Sequence, residues 1–261
     1  KKSKKAIPTL SKIVQEDKHK VVREWALEAL IKIGGHGIIP ALIVALGDEN
    51  NDIRYIALEE LGNIKDVKTI PDLIKLLDEP DGDIQHHAIS VLENFGEDAL
   101  PQLLSAFQDK NNNEQIRQTI VMILGTIRST TATPILLKFI YDSSLLLRRR
   151  IISALGEIRS SDAVQDLIKC LQDNEDIIRK EAVLALGKIK SKDAIPSLIL
   201  ALQDNSYHVR ENASLALGEI GDPQTVSNLI KVLEDKTTSV RETAIIALSK
   251  IADEKAIKCL I

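Results

Sequence analysis

Aromatic residues are scarce in this chain: three Phe, three Tyr and one Trp among 261 residues. Any core is therefore built from Leu, Ile, Val and Ala, and a hydrophobic fraction of 44% supplies enough of them to exclude a disordered chain. Cysteine is limited to Cys170 and Cys259. That excludes a disulfide scaffold and fits a reducing compartment, so a cytoplasmic location is expected. No apolar run approaches the ~18 residues needed to cross a bilayer. The first residues hold no apolar signal-peptide segment either. Excess positive charge is also absent. The net charge of −4 argues against nucleic acid as the partner, and the one basic cluster, "KKSKK" at 1–5, reads as a solvated end.

Catalytic signatures are missing as well. There is no G-x-S-x-G, no P-loop, no G-x-G-x-x-G and no C-x-x-C. "GGHG" (34–37) reads as a helix end and a turn. His86 and His87 are adjacent, so on a helix their side chains diverge by ~100° and do not form an i, i+4 metal pair. No catalytic residue, metal site or cofactor is expected.

What the chain does have is a period. "IIRKEAVLALGKI" (177–189) returns as "HVRENASLALGEI" (208–220) and as "SVRETAIIALSKI" (239–251). A second landmark falls at Pro8, Pro40, Pro71, Pro101, Pro134, Gln165, Pro196, Ser227 and Lys258, in steps of 30 to 33 residues. Fixed spacing of this kind marks a repeat architecture. Eight complete repeats and the start of a ninth can be counted.

Each repeat reads as two helices. The first carries its proline in the first turn, where a missing N–H costs nothing. Asp162 and Asp193 stand in the preceding breaks as candidate caps. The second helix is numbered here from the slot held by Arg23, Arg54, Gln85, Arg117, Arg148, Arg179, Arg210 and Arg241. Apolar or small residues recur at −1, +3, +4, +6, +7 and +10 from that slot, a wide stripe of period 3.6. Nothing alternates at period 2, so no sheet is expected. One helix pair does not bury its own stripe, but stacked pairs do. The expected fold is all-α: an α-solenoid, a right-handed superhelix of about eight two-helix repeats of ~31 residues. Residues 1–261 would form one repeat domain. Ending inside a first helix without a polar cap, it would be a piece of a longer protein.

Proline in the first helix, Asp and Arg six residues apart, and "ALGxI" closing the second helix resemble HEAT repeats, of the short kind found in phycobilin lyases. The resemblance implies that Asp17, Arg23, Asp48, Arg54, Asp142, Arg148, Asp173, Arg179, Asp204, Arg210, Asp235 and Arg241 form a structural ladder of hydrogen bonds between successive repeats. Glu79 and Gln85 in the third repeat, and a longer linker placing Asp109 eight residues before Arg117, are expected to interrupt it. Deoxyhypusine hydroxylases, another helical-repeat family, carry a di-iron site on His-Glu pairs, and no His here is followed by Glu.

In HEAT solenoids the second helices line the concave side. Positions +1, +2, +5 and +9 should be the most exposed there. At +1 and +2 the early repeats carry Trp25, Tyr55, Ile56, His86 and His87, and the fifth carries Arg149 and Arg150; +5 of the fourth is Met122. Trp, Tyr and Arg often anchor interfaces. These eight residues are the candidate partner-binding set, for a peptide or helix of another protein. Trp25 has a second explanation as the cover of a lost preceding repeat, and Arg149–Arg150 as a solvated face. Two other functions stay open: a lyase-like accessory protein handling a bilin chromophore, and nucleic-acid binding through the lysines at the start and Arg148–Arg150.

Overall fold

A computed structural model describes residues 4–251 of the chain. Cys259, Lys258 and the start of a ninth repeat lie outside the described residues. Sixteen α-helices are present among them, and no strand. They form eight pairs: α1 (Ile7–Glu16) with α2 (Lys20–Ile33), α3 (Ile39–Ala45) with α4 (Asn51–Ile64), α5 (Ile70–Lys75) with α6 (Gly82–Phe95), and α7 (Leu100–Gln108) with α8 (Glu114–Ile127). The series continues with α9 (Thr133–Leu137) and α10 (Leu145–Ile158), α11 (Val164–Cys170) and α12 (Asp176–Ile189), α13 (Ile195–Ala201) and α14 (Tyr207–Ile220), then α15 (Val226–Val232) and α16 (Thr238–Ile251). The chain divides into two compact bodies, residues 1–123 and 124–261.

Each first helix follows a short 3-10 turn, and Pro occupies its first positions in α1, α3, α5, α7, α9 and α13. The capping of these turns differs from the sequence expectation. Asp162 and Asp193 are exposed inside the turns. Ser191 instead accepts the Asp193 N–H, and Asp66 and Asp222 accept the N–H two residues on. A short side chain one residue before the turn reaches that N–H, whereas one within the turn is already past it.

Every second helix is 14 residues long. Within each body the core lies where second helices pack on one another and on the first helices. Position +7 is Leu in all eight repeats, from Leu30 to Leu248, and is fully buried each time. Position +3 is buried throughout and is Ala in six repeats: Ala26, Ala57, Ala88, Ala182, Ala213 and Ala244. Successive second helices approach closest in the C-terminal body. A methyl added to Gly156, Gly187 or Gly218 would sit 2.7–3.0 Å from Ala185, Ala216 or Ala247 of the next helix. In the N-terminal body Gly62 meets Val91 side-chain atoms at 3.3 Å. Small residues thus set how near the backbones lie, and leucines fill what remains.

Candidate functional site

The Arg slot binds one repeat to the next. Arg23 donates from Nε and Nη2 to both oxygens of Asp48, at 2.7 and 2.9 Å, and from Nη1 to the Asp17 carbonyl at 2.9 Å. Arg179 does the same to Asp204 (2.8 and 2.9 Å) and the Asp173 carbonyl, and Arg210 to Asp235 (2.8 and 3.1 Å) and the Asp204 carbonyl. Arg148 pairs with Asp173. Each aspartate also accepts the N–H two residues on, as Asp48 does from Asn50 and Asp142 from Ser144. Arg241 holds the Asp235 carbonyl. Burial alone would raise the Asp48 carboxyl, but its bonds from Arg23 and Asn50 outweigh this and hold it below the ordinary range.

The third repeat keeps one rung and loses another. Glu79 replaces Asp and still pairs with Arg54 at 2.7 Å. Gln85 spends its amide on the Leu77 carbonyl of its own repeat, 2.6 Å away, while Asp109 accepts from Asn111. No bond joins Gln85 to Asp109 among the described residues. Arg117 lies 5.2 Å over the Phe107 ring and donates to the Phe107 carbonyl.

The candidate partner-binding residues are not equally available. Trp25 is 68% exposed and has exposed Val21 and Val22 beside it on α2. Tyr55 and Ile56 are half-buried, and the Tyr55 ring lies 5.3 Å from that of His87. Burial, then the charges of Asp83 and Asp81, push the Tyr55 phenol above its ordinary value, so it stays neutral. His87 is half-buried, and its Nε2 has no hydrogen-bond partner among the described residues. His86 is exposed and bonds the Gly82 carbonyl. Met122 is exposed at 38%. Arg150 is exposed, and Arg149 reaches Glu181 at 3.4 Å. The first six residues belong to the N-terminal body and the two arginines to the C-terminal one.

Position +2 departs from the expected exposure. Thr119, Glu181 and Thr243 are buried there. The Arg149–Glu181 pair shows the reason in the sixth repeat, where +2 meets the preceding helix, whereas Trp25 and Arg150 at the same position stay open. The exposed row is instead +5, with Glu28, Glu59, Ser90, Met122 and Ile246 open and Ser153, Leu184 and Leu215 half-open.

A third feature was signalled in the sequence only by the helix end at "GGHG" (34–37). Second helices end on a left-handed residue: Gly34, Gly96 and Gly221, but also Lys65, Arg128, Arg159 and Lys190. Beside these ends the C-terminal body carries shared carboxylates. Glu157 pairs with Arg128 (3.4 Å) and Lys188 (2.7 Å), and Glu219 with Lys190 (2.9 Å) and Lys250. The two lysines hold the Glu219 carboxyl down at about 2. Among the described residues no three His, Cys, Asp or Glu side chains are arranged to hold a metal, and no helix is long and apolar enough to cross a membrane.

The sequence profile of HEAT repeats matches residues 7–93, 39–113, 70–147, 100–186, 136–207 and 195–261. This chain belongs to the HEAT-repeat family. Among solved structures, the HEAT chain is similar to Kap95p in a complex with RanGDP, with a TM-score of 0.63 and 13% identity over 97% of this chain and 42% of that one. It spans less than half of that importin's length. Human deoxyhypusine hydroxylase matches with a TM-score of 0.42 and 22% identity, covering 95% of this chain and 96% of that one. The CpcE–CpcF complex of phycocyanin lyase from Nostoc sp. PCC7120 matches with a TM-score of 0.44 and 20% identity, covering 87% and 94%. No curated protein matches the sequence. The importin likeness makes the fold an α-solenoid.

Proposed function

We propose that this HEAT solenoid is a non-enzymatic interaction scaffold that receives a peptide or helix of another protein on its second-helix face. The observation that carries the reading is where the apolar surface lies. Among the described residues, nine of the thirteen exposed large hydrophobic side chains sit on second helices: Val21, Val22, Trp25, Met122, Leu145, Leu146, Tyr207, Ile245 and Ile246. Stacking buries +3 and +7 in every repeat; it does not call for Met at +5 or Trp at +2. They occupy register positions from −3 to +5, and exposed apolar side chains concentrated on one set of helices mark contact surfaces. A solenoid of the same fold, Kap95p, binds a protein, RanGDP.

The test is a paired capture from native lysate. One bait is the wild-type chain, and the other carries Trp25→Ala, Met122→Ala, Arg150→Ala and Ile246→Ala, all at exposed positions. Unchanged helicity by circular dichroism establishes that both are folded. A protein retained by the first and lost from the second supports the reading. Equal retention by both baits places recognition elsewhere and overturns it.

A further inference from the structure

The C-terminal body carries a cleft that the candidate residues do not include. Its origin is the glycine-to-alanine contact between α12 and α14. A methyl on Gly187 would lie 2.9 Å from the Ala216 methyl, so nothing larger fits where the two helices touch. Above that line of small residues the +5 side chains Leu184 and Leu215 stand half-exposed on either side. The result is an apolar trough of about 350 Å³, within the range that binding sites occupy.

The rim is basic. Arg159, Lys188, Lys190 and Lys250 all line the cleft, against the single carboxylate of Glu219. Arg159 and Lys190 stand on the left-handed residues that close α10 and α12. Glu219 binds Lys190 and Lys250, and Glu157 binds Lys188 from behind the rim. The Arg159 side chain makes no ion pair among the described residues. Four cations against two carboxylates leave an excess of two positive charges, on a chain whose net charge is −4.

We infer that this cleft is a docking site for an acidic, amphipathic peptide segment, with a leucine-type side chain between Leu184 and Leu215 and carboxylates against Arg159 and its neighbouring lysines. Charge complementarity selects the occupant: an uncompensated guanidinium beside an apolar trough recovers most from a ligand that carries both carboxylate and aliphatic groups. Nucleic acid matches the rim but not the floor. No aromatic side chain lines the cleft to stack a base, and stacking supplies much of single-strand binding. The inference rests on the scaffold reading above and names the partner chemistry for one part of that face.

The experiment is fluorescence anisotropy with the full chain. The probe is a labelled synthetic helix-forming peptide of about 14 residues, Leu at i, i+3, i+4 and i+7 and Glu on the opposite face. Wild type should bind it, and about tenfold more weakly when salt is raised from about 0.05 to 0.5 M. Arg159→Glu with Lys188→Glu should lose at least about tenfold. Leu184→Gln, which keeps size and helix preference, should weaken binding with unchanged circular dichroism, and a peptide with Lys for Glu should not bind. Binding unaffected by both the rim and the Leu184 variants overturns the cleft while leaving a protein-binding face. Displacement by a single-stranded oligonucleotide together with indifference to Leu184→Gln overturns it in favour of nucleic acid. No peptide binding, with the lysate capture still lost from the four-alanine bait, overturns the cleft alone. Failure of both experiments overturns the scaffold reading with it.

Discussion

Arg23 grips Asp48 across 25 residues of chain, both oxygens engaged, and both side chains are nearly sealed from solvent at 7% and 6% exposure. The same guanidinium holds the Asp17 carbonyl of its own turn. One side chain thus fixes the helix-to-helix turn within a repeat and the distance to the next repeat. Asp48→Ala takes the bidentate partner from a buried cation and leaves it only the exposed Glu49 carboxylate, 3.0 Å from Nη2. The expected cost is about 3–5 kcal/mol, read from urea denaturation followed by circular dichroism. A loss below about 1 kcal/mol would show that the rung is ornamental.

The missing rung offers the converse. Gln85→Arg keeps a donor for the Leu77 carbonyl, as Arg54 keeps the Leu46 carbonyl, and adds a cation facing Asp109. Asp109 is exposed, so the gain should be modest, up to about 1 kcal/mol in the same assay. A loss of stability would mean that the longer linker has carried Asp109 out of reach.

Glycines at one register position should respond differently to Ala. At Gly156 the added methyl meets backbone, the Ala185 Cα at 2.8 Å. Overpacking of about 1–3 kcal/mol outweighs the gain of about 1 kcal/mol in helix propensity. At Gly62 the nearest atoms are the Val91 methyls at 3.3 Å, which can turn aside, so Gly62→Ala should be near neutral or stabilising. Melting temperatures of the two variants decide it, and equal shifts would refute the distinction.

Stability should fall on the acid side. Asp48 and Asp204, where burial opposes but is outweighed by Arg hydrogen bonds, and Asp235, held chiefly by its bond from Arg210, all lie below the ordinary carboxyl value. Glu219 is lowered from 4.5 to about 2 by Lys250 and Lys190. A carboxylate with a lowered folded pKa adds stability that is fully present above its unfolded pKa and disappears as pH drops toward the folded one. Unfolding free energy should therefore be lost between about pH 4.5 and 2. Asp204→Asn should flatten that slope; an unchanged slope would remove the rungs as its cause.

Cys170 gives an internal probe. It is 1% exposed, and burial pushes its thiol up to about 11. In a Cys259→Ser background a thiol reagent at pH 8 should label it only on unfolding. Rapid labelling of the folded protein would mean that α11 opens locally.

The eight-fold pattern was legible because burial of a helical stripe writes a period of its own: Leu at +7 in every repeat, Ala at +3 in six and Gly at +8 in five are packing demands. The Asp-to-Arg spacing pointed to hydrogen bonds between repeats, but six residues of separation do not say which aspartate an arginine reaches. Only the fold shows Arg179 holding the carbonyl of Asp173 and the carboxylate of Asp204. Burial at +2 was illegible because polarity conceals it: Glu181 and Thr243 look like surface residues, yet one is sealed by Arg149 and the other bonds the Val240 carbonyl. The cleft was illegible for another reason. Arg159, Lys190 and Lys250 come from three different repeats at two register positions, and no linear motif joins them.

The two bodies differ in how their second helices are fastened. In the C-terminal body Arg–Asp pairs join neighbouring helices near their starts and shared glutamates join them near their ends, with backbone nearly touching backbone between. In the N-terminal body the far ends are joined by single bonds, His36 to Asp66 at 3.1 Å and Lys65 to the Asn94 carbonyl, and the 85–109 rung is absent. Mechanically, the first is a plate riveted along both edges and the second is pinned along them with fewer fasteners. Amide hydrogen exchange should register that contrast as slower opening of α12 and α14 than of α4 and α6. Within the N-terminal body, strain from a bound partner would collect around α6, where the rung is missing.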